Sequence, residues 1–132
     1  VTEQSAHRDV ALWSYERPSR GYFGYHLRAA NAEARLRLRQ RLAPLRLGDA
    51  HRLRFGGRIE DPLPWSRVLH PDVLITVGTS AGRADGTLSL AIELDDLRDL
   101  LGLLDGVPPD QESSVTVETD DGARPLWIWW DP

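Results

Sequence analysis

The chain has 132 residues and a net charge of −4, with no cysteine and no methionine, and all 16 of its basic residues are arginine. Without cysteine there are no disulfides, thiolate metal sites or thiol nucleophiles. Without lysine there is no P-loop lysine, Schiff-base lysine or Ser-Lys dyad. The length suits a single domain, 1–132, able to bury about two-thirds of its unfolded surface in one core.

The charge is unevenly spread. Residues 1–58 carry 12 arginines against 5 acids, and residues 59–132 carry 4 against 15. Such asymmetry marks either a polyanion-binding face or two halves that attract each other within one fold; internal attraction is the leading explanation. No apolar run reaches the roughly 20 residues that span a bilayer, so no membrane partner is expected. The stretch Val1-Thr2-Glu3-Gln4-Ser5 lacks a basic and an apolar signal region, and residues 1–8 read as a frayed tail. The expected location is cytoplasmic.

In chain order, Val10 to Glu16 reads as a strand with Trp13. Arg17-Pro18-Ser19-Arg20-Gly21 reads as a turn, and Tyr22 to Ala29 as a returning strand. In Ala34-Arg35-Leu36-Arg37-Leu38-Arg39-Gln40-Arg41-Leu42, leucine alternates with arginine, which favours a half-buried strand. Helix is the competing reading, because every residue there is a strong helix former. Arg52-Leu53-Arg54-Phe55 resumes the alternation and Gly56-Gly57 ends it. Residues 58–72 read as a long ordered loop, and Val73 to Val77 as a buried strand.

Thr87 to Leu94 alternates with Leu88, Leu90, Ile92 and Leu94 on one face. Asp95 then N-caps an amphipathic helix at about 95–105, with Leu97, Leu100, Leu101 and Leu104 as its apolar stripe. Gly106 takes a left-handed conformation after it, and Pro108 and Pro109 prevent continuation. The last two strands, Ser114 to Glu118 and Leu126 to Trp130, flank Asp120-Asp121-Gly122-Ala123. A two-residue turn on Asp121-Gly122 would pair Val117 with Leu126 and Val115 with Ile128. The expected fold class is α+β: a mainly antiparallel, curled sheet of about eight short strands, with one amphipathic helix packed on one face.

Every recognisable catalytic spacing fails on inspection. Gly78-Thr79-Ser80-Ala81-Gly82 matches G-x-S-x-G, but a strand follows it where a nucleophile elbow needs a helix. The last histidine, His70, precedes Ser80, whereas the triad histidine of that fold follows the serine. His7, His26, His51 and His70 never lie three or four residues apart, so no local metal pair exists. His70-Pro71-Asp72 is better explained as a turn than as an acid–base pair. The acids Asp95, Asp96 and Asp99 suit a helix start, and none of the acids forms a calcium loop. No catalytic residue, metal ligand or cofactor is assigned.

Two surface features remain. Arg28, Arg35, Arg37, Arg39, Arg52 and Arg54 fall on the polar positions of three consecutive expected strands, which would array guanidinium groups for a polyanion. The final strand, Leu126-Trp127-Ile128-Trp129-Trp130, should face the core with Leu126 and Ile128 and present Trp127 and Trp129 outward, as the anchor of a protein or homodimer contact. The leading functional reading is therefore a small non-catalytic binding protein acting through a protein surface. Binding of nucleic acid or another polyanion through the arginine face is the alternative, and an enzyme with a site built from scattered residues is third.

Overall fold

The computed structural model describes residues 3–15, 24–58, 67–78, 87–106, 114–120 and 122–130. Their elements, in order, are β1 (Glu3–His7), β2 (Val10–Tyr15), β3 (Tyr25–Ala29), α1 (Ala32–Leu42), β4 (Ala50–Phe55), β5 (Arg67–Leu69), β6 (Asp72–Val77), β7 (Leu88–Ile92), α2 (Leu94–Leu104), β8 (Ser114–Thr119) and β9 (Gly122–Trp130). The nine strands form one sheet in the order β1-β4-β6-β7-β8-β9-β3-β2-β5.

The sheet is mixed and carries two helices, which corrects the expectation of a mainly antiparallel sheet with one. Three adjacent pairs are parallel: β1 with β4, β6 with β7, and β3 with β9. Strand alternation tells which face a residue occupies but not which strand lies beside it, so sequence reading supplies no direction of pairing.

β1 and β2 are separated by Arg8 and Asp9 alone, yet one is at an end of the strand order and the other next to the opposite end. The sheet therefore curls until its ends approach. Backbone bonds fasten this seam: Gly56 donates to the His7 carbonyl at 3.0 Å, Gly57 to Val10 at 2.8 Å and Ala30 to Asp9 at 2.9 Å. A Cβ on Gly57 would lie 2.6 Å from the Val10 backbone, so the close approach requires glycine.

Both helices contribute to a core that also takes side chains from β2, β3, β4, β6, β7, β8 and β9. They lie on the concave face, where Leu38 and Leu100 line the same apolar space as Leu12, Leu53, Leu90 and Leu126. Neither helix is long and apolar enough to cross a membrane.

Residues 34–42 are helical, and the expected strand is overturned. The Asn31 Oδ1 accepts from the Ala34 N–H at 2.8 Å, which caps the first turn. Glu33 near the start and Arg39 and Arg41 in the last turn complement the helix dipole. Only the narrow stripe Ala34, Leu38 and Leu42 is buried, and Leu36 is left exposed. The alternation of leucine and arginine thus imitates a strand without setting the conformation.

Further corrections are local. Residues 3–7 of the expected frayed tail are strand β1, held parallel to β4. The expected loop 58–72 contains β5, paired with β2. The α2 helix starts at Leu94 with Glu93 as N-cap, so neither Asp95 as cap nor Leu94 as a strand residue holds. Leu103 replaces Leu101 in its fully buried stripe, giving Leu97, Leu100, Leu103 and Leu104. Gly106 takes φ +93°, as its position after the last turn predicts. In the final hairpin Thr119 pairs with Gly122, Val117 with Arg124 and Val115 with Leu126, two residues away from the expected register. A shift of two keeps every side chain on its face, so Leu126 and Ile128 are buried in the core. Pro108, Pro109 and Ser80 lie outside the described residues.

Candidate functional site

The convex face opposite the helices carries an unusual row of rings. Strand alternation puts Trp13 and Tyr15 of β2, His26 of β3, and Trp127 and Trp129 of β9 there, because Leu12, Leu27, Leu126 and Ile128 point into the core. Register places Trp13 beside His26 and His26 beside Trp127.

His26 is only 1% exposed although it lies outside the core. Trp13 stacks on it at 5.4 Å between centroids, Tyr15 meets it edge-on at 5.3 Å, and Trp129 lies beside it at 6.1 Å with planes 25° apart. The Trp129 Nε1–H donates to His26 Nδ1 at 3.0 Å, so Nδ1 is an acceptor and the imidazole is held by both packing and a directed bond. Arg67 covers the outer end of this cluster, with its guanidinium 5.6 Å from the Trp13 ring and 5.8 Å from the Tyr15 ring, within cation–π range.

At the seam this face opens into a groove of about 430 Å³ lined by Arg8, Asp9, Ala11, Arg28, Ala30, Gly56, Gly57 and Arg58. Three arginines and one aspartate thus line the same opening. Arg8 and Arg58 are both exposed, and neither makes an ion pair among the described residues. Arg28 joins the groove to the ring row: it pairs in register with Ala11 on one side and Trp129 on the other. Planar, permanently charged forks in an open groove suit phosphate and carboxylate oxygens.

The six arginines expected to share one sheet face are dispersed. Arg28 alone lies in the groove. Arg35, Arg37 and Arg39 are on α1; Arg35 packs beside Leu38 and Leu104 and over Gly106. Arg37 pairs with Glu33 at 3.0 Å, one turn earlier. Arg39 donates to the Leu101 carbonyl at 3.2 Å and lies 3.8 Å from Asp105. Arg52 pairs with Asp72 at 3.3 Å, while Arg54 is exposed on β4. Arg39–Asp105 and Arg52–Asp72 join the basic part of the chain to the acidic part, so some of the charge asymmetry is neutralised within the fold. Trp127 is half-buried, and Trp129 is 48% exposed.

A second constellation lies on the concave side. The Ser5 Oγ is 2.8 Å from Nε2 of both His7 and His51, accepting from one ring and donating to the other. Both Nδ1 atoms are buried without a partner. Burial, reinforced by His51 and by Arg41 and Arg37 of α1, pushes the His7 pKa down to about 4; burial also lowers that of His51. A serine nucleophile needs a basic imidazole oriented by an acid at its far nitrogen. Here the bases are weak and that nitrogen is empty, so the trio acts as a neutral polar link between β1 and β4. His70 bonds through Nε2 to Ser14 Oγ at 2.8 Å, while Asp72 pairs with Arg52. Among the described residues no group of three His, Cys, Asp or Glu side chains could hold a metal.

Arg8 and Arg58 were missed in the sequence, whereas His26, with Tyr22, was a candidate for a stacking residue on the arginine face. Arg8 falls in the supposed tail and Arg58 opens the supposed loop, so their meeting depends on closure of the seam. Gly56-Gly57 was the available signal, read there only as a strand end. No protein-family model matches the chain, and neither does any curated protein or solved structure.

Proposed function

We propose that the protein is a small binding module, acting in the cytoplasm, whose convex face recognises an anionic ligand through the seam groove. The observation that carries this reading is the meeting of Arg8, Arg28 and Arg58 around one opening, with Arg8 and Arg58 free of acidic partners among the described residues. It keeps the polyanion alternative but moves it from a sheet-wide stripe to the seam. The net negative charge lies elsewhere in the chain and does not remove a local positive field. Titration with inorganic polyphosphate at about 50 and 200 mM salt tests it. Affinity should fall with salt, and Arg8→Glu with Arg58→Glu should weaken it at least tenfold. Unchanged affinity in the double variant refutes the site.

A protein or second copy of the chain seated on Trp127 and Trp129 is the second reading, favoured by the exposed half of Trp129. Sedimentation of the wild type and Trp129→Ala across a concentration series separates the two. Self-association lost in that variant supports the second reading.

A further inference from the structure

Arg28, which lines the groove, and Trp129 are register partners on adjacent strands of the convex face. Trp129 is held at its edge by the bond to His26 Nδ1, with the two rings side by side and 25° from coplanar, while 48% of the residue stays exposed. An indole that is immobilised before a ligand arrives loses little freedom on stacking. On the same face, Arg8, Arg28 and Arg58 line a groove suited to phosphate.

Resting on the anion reading above, we propose that the ligand is a nucleotide unit: its base stacks on Trp129 and its phosphate lies in the groove of Arg8, Arg28 and Arg58. A phosphate ester joined to a planar base engages both surfaces at once, the anion in the groove and the ring on the indole. Single strands are bound in this way elsewhere, with stacking rings beside a basic groove.

Fluorescence anisotropy with a labelled 12-nucleotide thymidine strand, an abasic strand of equal length, and AMP as competitor tests the proposal. The thymidine strand should bind about 5- to 150-fold more tightly than the abasic strand, the range for stacking one base. Trp129→Ala should abolish that difference while still binding the abasic strand, which also shows that the variant is folded. Trp129→Phe should retain part of it. Arg8→Glu with Arg58→Glu should weaken both strands, and Arg37→Glu, half that change in charge and placed on α1, should weaken neither. Competition by AMP that depends on Trp129 identifies a free nucleotide as a source; binding of the strand alone identifies single-stranded nucleic acid. Equal affinity for thymidine and abasic strands overturns base stacking and leaves the anion groove standing. Failure of both strands and of polyphosphate to bind overturns the groove as well.

Discussion

The two faces of the sheet bury histidine in opposite ways. On the concave face His7 and His51 share one serine hydroxyl beneath a helix that brings Arg37 and Arg41 near them. Those rings are hidden by the packing of α1, and they share the hydroxyl through Nε2 while both Nδ1 atoms stay unpaired. On the convex face His26 is equally hidden, but by other rings, and Trp129 beside it remains half in solvent. A buried imidazole under a helix links strands within the fold. One beside a half-exposed indole orients a surface that a ligand can reach.

The largest expected effect is on the concave side. Leu100→Ala removes a side chain that is 1% exposed among both helices and the sheet, and should cost about 2–5 kcal/mol in urea unfolding. Leu101→Ala, at a half-buried position, should cost clearly less. Equal losses would contradict the orientation of α2.

Acid should distinguish the faces next. His7 has a folded pKa of about 4 against an ordinary 6.5, so the folded state favours the neutral ring. Its contribution is complete above pH 6.5, is lost as pH falls through the folded value, and changes little below. At about 1.4 kcal/mol per unit the loss is on the order of 3 kcal/mol. The wild type should lose more stability than His7→Gln between pH 7 and 4, because His51 and His70 and the carboxylates titrate in both. Parallel curves would remove His7 as the source.

The smallest effect belongs to the convex face. His26→Leu keeps an apolar filler but removes the acceptor for Trp129, at a cost of about 1–2 kcal/mol. The sharper readout is iodide quenching, which should rise in His26→Leu and lose that increment when Trp129→Phe is added. Quenching that stays at the wild-type level would show that packing alone fixes the indole.

Parts of this arrangement were legible in the chain and parts were not. Leu97, Leu100 and Leu104 in the stripe of α2, and the outward Trp127 and Trp129 against the inward Leu126 and Ile128, follow from periodicities of 3.6 and 2, and the turn at Gly106 from its place after the helix; all are local properties. They survive even a two-residue error in hairpin register, since such a shift leaves each side chain on its face.

Tertiary structure decided the rest. Leucine alternating with arginine satisfies a strand period, but the curled sheet offers α1 a concave face on which only Ala34, Leu38 and Leu42 need burial, and the Asn31 cap with good helix formers prevails. Three parallel pairings and the seam join residues far apart in sequence, and no local pattern encodes them. For that reason Arg8, Arg28 and Arg58 reach one groove only when Gly57 lets β4 close on Val10. The composition supplied the arginines and tryptophans, and closure of the sheet decided which of them became neighbours.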